Sequence, residues 1–182
     1  ITYLNNVLKI TKNNVSNNHT LIAHIYNAVG LVYANINDYN RALEFYKSSL
    51  SILIEYHGKQ NKHVAASYNN IAKVYSKTGD FKRALEYNEK ALSIRLKVLG
   101  QNNMYVAYSY FNLGVIYRNM GEYDKALELH FKSRDIDILN FGNEHFNVAW
   151  DNLYIANVYV AKGAVLDRGS KFLTPAKNAT PI

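Results

Sequence analysis

The feature that most constrains this chain is a repeat with a period of 42 residues. Tyr33, Tyr75, Tyr117 and Tyr159 are spaced by 42, and so are Ala23, Ala65, Ala107 and Ala149. Ala42, Ala84 and Ala126 form a third series, and Gly58, Gly100 and Gly142 a fourth. A fifth alternates two small residues: Gly30, Ala72, Gly114, Ala156. Five series in one phase are not a chance pattern, and a fixed period of roughly 20–50 residues is the signature of a solenoid. In such an array each unit buries its apolar face only by stacking on the next.

Each period divides into two helical patterns. In the middle one, Val64, Ala65, Tyr68, Ile71, Ala72 and Tyr75 fall at spacings of one, three and four, which is one face of a helix. Gly79 ends that helix, because glycine takes the left-handed conformation without steric cost. Gly121 and Gly163 stand at the same place, and Asn37 replaces them in the first unit. Asp38 and Asp80 follow and are suited to cap the next helix. The second helix runs through Ala84, Leu85, Asn88, Ala91 and Leu92 to Leu99, with Gly100 closing it. Glu86 precedes Lys90 by four residues and Glu128 precedes Lys132 by four, the spacing of solvated helix-surface pairs. Ala72 and Ala84 let the two backbones of a unit approach closely, with Tyr75 and Phe81 filling the space around them.

The expected organisation is an all-α solenoid of helix pairs. Residues 1–18 read as the second helix of a preceding, truncated repeat, since Leu8 and Ile10 stand 42 before Leu50 and Ile52. Residues 19–60, 61–102 and 103–144 make three full repeats, and 145–163 the first helix of a fourth. Beyond Gly163 the register fails: Arg168 stands where alanine is due, and both prolines, Pro175 and Pro181, follow. Residues 164–182 are therefore expected to be a divergent, irregular tail that leaves the last apolar face uncovered. A start at Ile1 inside a helical pattern points to a piece of a longer protein.

These residues resemble the tetratricopeptide repeat. The family's early aromatic corresponds to Tyr26, Tyr68 and Tyr110, with Asn152 departing from it. Its small pair corresponds to Gly30 with Ala42, Ala72 with Ala84, and Gly114 with Ala126. Its late aromatic corresponds to Tyr46, while Asn88 and His130 depart. The family period is about 34; the 42 residues here, the Leu-Gly helix ends and the runs Tyr68–Ala72 and Ala91–Arg95 are similar to the kinesin light chain type. The resemblance implies a right-handed superhelix whose first helices line a concave groove. It also implies groove-facing places, which fall on Asn27, Asn69, Asn70, Lys73, Lys77, Tyr108, Phe111, Asn112, Arg118, Asn119, Trp150 and Asn157.

The sequence lacks the patterns of catalysis. It contains no Gly-x-Ser-x-Gly elbow, no phosphate loop and no dinucleotide-type glycine cluster. With no cysteine, thiolate chemistry is excluded and a reducing, cytoplasmic setting is expected. The six histidines do not pair at metal-ligand spacing and read as helix-end or surface residues. No cofactor is expected. No stretch has the apolar length of a membrane span.

The formal net charge is +7, but residues 1–18 and 164–182 supply most of it and leave the repeat body mildly basic. That argues against an RNA-binding solenoid, which needs clustered Lys and Arg. The expected function is a non-enzymatic scaffold or adaptor that holds an extended acidic-aromatic peptide, or a partner domain, in its concave groove. Asn side chains would bond a peptide backbone through both donor and acceptor. Lys73, Lys77 and Arg118 would favour an acidic group, and Tyr108, Phe111 and Trp150 an apolar anchor. A regulatory arm of a larger enzyme or ATPase is the competing reading. Exposed repeat ends would also allow self-association.

Overall fold

The computed structural model describes residues 18–171, and of residues 164–171 the backbone alone. The expectation for residues 1–17 lies outside this range, as does that for 172–182. The described chain is a succession of helices: α1 (His19–Asn35), α2 (Tyr39–His57), α3 (Lys62–Lys77), α4 (Phe81–Leu99), α5 (Met104–Asn119), α6 (Tyr123–Phe141) and α7 (Phe146–Lys171). Helices α1 and α2, α3 and α4, and α5 and α6 pack as hairpins, and each second helix also packs on the next first helix. The result is an all-α helical-repeat solenoid.

Turn chemistry sets the helix ends. Asn37, Gly79 and Gly121 have positive φ (61°, 80° and 82°). Asn37 takes the left-handed place of glycine, as an asparagine can at modest cost. The reversal brings Asp38 N–H to the Tyr33 carbonyl, Asp80 N–H to Tyr75 and Glu122 N–H to Tyr117, each at 2.9 Å. Asp38 and Asp80 then cap α2 and α4 by accepting from the N–H of Arg41 (3.2 Å) and Arg83 (3.1 Å). Glu122 stands in their place before α6 without a side-chain cap bond. The surface pairs Glu86–Lys90 and Glu128–Lys132 both form, at 2.6 Å.

Small residues let the helices of a hairpin meet. Ala42, Ala84 and Ala126 are fully buried. One continuous core joins repeats through Val29, Tyr33, Tyr46, Ile71, Tyr75 and Ile116. A second joins Ala23 and Leu53 of the first repeat to Val64, Ala65, Ala91 and Ile94 of the next. These clusters cross repeat boundaries because neither helix pair buries both of its faces alone.

Two expectations are corrected. Gly163 does not end its helix: α7 continues through it to Lys171, so residues 164–171 are helical rather than irregular. At Gly79 and Gly121 a second helix folds back and packs on the first. After Gly163 the capping acid and the small residue for that contact are missing, and helical continuation costs only about 0.5–1 kcal/mol for one glycine. The histidines are not all helix-end or surface residues either. His130 is fully buried, with neither ring nitrogen hydrogen-bonded. Burial, with Arg118 adding to it, lowers its pKa to about 4, so the ring is neutral at pH 7.

Several large apolar side chains of α7 are exposed among the described residues. Phe146, Trp150, Tyr159 and Val160 are 73%, 54%, 53% and 72% exposed. Tyr159 belongs to the series whose members Tyr33 and Tyr75 are 3% and 6% exposed. Those two are buried by helices that fold back on them.

Candidate binding groove

First helices of successive repeats touch through side-chain amides. Asn70 donates to Asn27 at 2.8 Å and Asn112 donates to Asn69 at 2.9 Å, joining α3 to α1 and α5 to α3. Asn69 and Asn112 are only 2% and 9% exposed. These two amides are therefore occupied in holding repeats in register and are not free clamps for a ligand backbone.

Two cavities open along the row of first helices. One, of about 340 Å³, lies between α1 and α3, with Asn35, Asn70, Lys73 and Lys77 among its walls. Its charged groups are the two lysines, both exposed. The Lys73 ammonium also sits 4.9 Å above the Tyr108 ring, an arrangement that attracts a cation to the face of the π-system.

The other cavity is larger, about 520 Å³. Its walls come from α3 (Asn69, Asn70), α5 (Tyr105, Tyr108, Phe111) and α7 (Phe146, Trp150), with residues of α4 and α6 behind them. That α3 and α7 wall one cavity across α5 means the row of first helices curls toward this side, which makes it the concave face. Phe111 meets Tyr154 edge-on at 4.6 Å, and Trp150 leans on the same tyrosine at 5.9 Å. The aromatic wall is thus a packed unit rather than separate side chains.

Of the residues expected in the groove, Asn69, Asn70, Tyr108, Phe111 and Trp150 wall the large cavity. Asn70, Lys73 and Lys77 wall the small one. Asn27 and Asn112 are bonded to their walls. Arg118, Asn119 and Asn157 belong to neither wall. Arg118 lies near His130, with its Nε buried and unbonded.

The back of the large cavity holds charges that the sequence reading did not assign to it: Arg95 of α4, Asp137 of α6 and Asp151 of α7. All three are buried, at 4%, 6% and 1% exposure. Arg95 donates to Ser109 Oγ (2.6 Å) and to the Tyr105 carbonyl (3.1 Å). Burial lowers its pKa, and the nearby rings of Tyr108 and Tyr105 act against that shift. Burial likewise pushes the Asp137 carboxyl up, with His145 and Asn147 opposing. Asp151 is pushed up to about 7 by burial first; Ser133 and Arg134 oppose the rise and the charge of Asp137 adds to it. Ser133 donates its proton to the Ala107 carbonyl at 3.0 Å, and neither oxygen of Asp151 has a hydrogen-bond partner. The signal for these residues was present in the period. Leu53, Arg95 and Asp137 share one phase, as do Ser67, Ser109 and Asp151. One phase passing from apolar to positive to negative marks a place where packing alone does not set the residue.

Comparison with known proteins agrees with this architecture. Family models described as tetratricopeptide repeat match residues 21–97 and 107–137. The chain belongs to the tetratricopeptide-repeat family. Among solved structures, BtubC (BKLC) from P. vanneervenii is similar with a TM-score of 0.76 at 23% identity, over 100% of this chain and 78% of that one. A Podosopora anserina protein of nearly identical TPR-like repeats, described as a kinesin light chain, gives 0.72 at 20% identity, over 92% and 79%. The apo form of RapI gives 0.72 at 19% identity, over 86% of this chain and 56% of that one. At these identities the likeness is one of fold. A search of curated proteins finds no matching sequence. Tetratricopeptide repeats are in general protein-interaction scaffolds. Among the described residues, no helix is long and apolar enough to cross a membrane, and no group of three or more His, Cys, Asp or Glu is placed to hold a metal ion.

Proposed function

We propose that this chain is a non-enzymatic scaffold or adaptor that binds an extended peptide along its row of first helices. The observation that carries the reading is the pair of adjoining cavities sharing Asn70, one edged by Lys73 and Lys77 and one walled by Tyr108, Phe111 and Trp150. An acidic side chain of the peptide sits against the lysines through charge-assisted bonds. A bulky side chain elsewhere on the peptide enters the aromatic cavity, whose volume of about 520 Å³ is within the roughly 300–1,000 Å³ range of ligand sites. The cytoplasm is the compartment that this reading assigns, supported by the absence of cysteine.

A peptide array probed with the full chain at low and high salt tests this. The expected result is salt-sensitive capture of peptides that combine an acid with a bulky side chain, lost in Lys73→Glu/Lys77→Glu. Capture unchanged in that variant would overturn the charge matching. An array with no captured peptide at either salt concentration would overturn the groove as a peptide site.

A further inference from the structure

The charged floor of the large cavity has a pattern that repeat symmetry makes legible. Arg95 donates to Ser109 across the α4–α5 boundary at 2.6 Å. Moving both residues on by 42 gives Asp137 of α6 and Asp151 of α7, which line the same cavity. A satisfied donor–acceptor pair is thus replaced by two carboxyl groups and no donor. Both oxygens of Asp151 and one of Asp137 are buried without a hydrogen-bond partner.

No cation among the described residues pairs with either of them. Arg134 on the same α6 turns to Asp135, at 3.1 Å. His145 lies near Asp137 but donates no bond to it, and Asn147 and Ser133 carry no charge. Arg95 is engaged with Ser109 and the Tyr105 carbonyl. Among the described residues, neither Asp137 nor Asp151 forms an ion pair. Burying carboxyl groups without partners is costly, and more so when they are charged. Two such groups lining one cavity fit the demand of a ligand.

We propose that Asp137 and Asp151 form the seat for a cation carried by the ligand: the ammonium or guanidinium of a Lys or Arg side chain entering the aromatic cavity of the peptide groove. This rests on the peptide-groove reading and names the residue that fills its large cavity. One side chain type satisfies both parts of the site. The aliphatic stem of Lys or Arg packs on Tyr108, Phe111 and Trp150, and its charged head reaches the carboxylates behind them. A purely apolar anchor covers the aromatic wall but leaves the acids buried and unpaired.

The chain has one tryptophan, and it is Trp150, so its indole N–H reports on this cavity alone. The first arm titrates the full chain with agmatine, which carries a guanidinium and an ammonium at the two ends of a four-carbon chain, and follows the indole N–H by NMR. The neutral probe is 1-pentanol. A saturable shift with agmatine that is absent with 1-pentanol and lost in Asp137→Asn/Asp151→Asn is expected. Asparagine keeps the shape and removes the charge, and circular dichroism checks that the variant is folded. No saturable shift, or the same shift in the variant, would overturn the cation seat.

The second arm takes a peptide captured on the array and varies its anchor among Arg, Lys and citrulline, the neutral isostere of Arg. Arg and Lys are expected to bind at least about tenfold tighter than citrulline, as befits a charge-assisted bond in a dry site. That preference is expected to vanish in the Asp variant while sensitivity to Lys73→Glu/Lys77→Glu remains. Equal binding of citrulline with that sensitivity intact would overturn the seat and leave the groove standing. Agmatine binding without any captured peptide would keep the seat and remove the groove reading.

Discussion

Gly114 on α5 and His130 on α6 lie face to face, and a Cβ on Gly114 would stand 2.8 Å from Cε1 and Nε2 of the imidazole. The first repeat has the same arrangement, where a Cβ on Gly30 would stand 2.8 Å from the Tyr46 ring. In the second repeat the two places hold Ala72 and Asn88. The alternation of glycine and alanine in the sequence is thus matched to the ring across the hairpin: glycine where a ring stands, alanine where a smaller amide does.

Gly114→Ala is therefore expected to destabilise the chain by about 1–3 kcal/mol through overpacking, less the roughly 0.8–1.0 kcal/mol that alanine gains over glycine within a helix. His130→Asn opens the space, so in that background the alanine should raise the midpoint of thermal unfolding. Equal effects of Gly114→Ala in both backgrounds would refute the matching.

Ala84 and Ala126 are fully buried within their hairpins. Ala84→Leu should cost about 1–3 kcal/mol, measured by urea unfolding. A leucine at the exposed Glu89, on the same helix α4, is the control and should change stability by no more than about 0.5 kcal/mol.

The Asn69–Asn112 bond should couple its partners. Asn112→Ala leaves the buried Asn69 carbonyl without its donor, at about 1–3 kcal/mol. A double-mutant cycle with Asn69→Ala is expected to give a coupling of about 0.5–1.5 kcal/mol, and additivity would mean that the bond contributes nothing.

His130 and Asp151 give stability opposite dependences on pH. The pKa of His130 falls from 6.5 to about 4 on folding, so its contribution is complete above pH 6.5 and is lost as pH falls toward 4. The carboxyl of Asp151 rises from 3.8 to about 7, so its contribution is complete below pH 3.8 and is lost as pH rises toward 7. Asp151→Asn should accordingly stabilise the ligand-free chain at pH 8, by at most roughly 4 kcal/mol at 1.36 kcal/mol per unit, and leave it unchanged near pH 3. His130→Asn should flatten the acid limb instead. Thermal melts of the three chains between pH 3 and 8 check both signs.

Much of this architecture is legible in the chain itself. The 42-residue spacing of tyrosine, alanine and glycine determined paired helices and an all-α repeat solenoid, and Asn37 could be read as a left-handed turn residue. These features are local or repeat in phase, so each copy carries the same instruction. Which side chains meet across repeats was decided only by the tertiary structure. Asn69 and Asn112 look like exposed ligands in the sequence and are buried partners of each other. Arg95, Asp137 and Asp151 look like second-helix or first-helix polar positions and converge on one cavity. Gly163 looks like a stop and is passed by α7, since the acid and the small residue that begin the second helix elsewhere are missing after it. The period specifies each unit, while burial depends on the curvature with which the units stack. That curvature brings α3, α5 and α7 around one space.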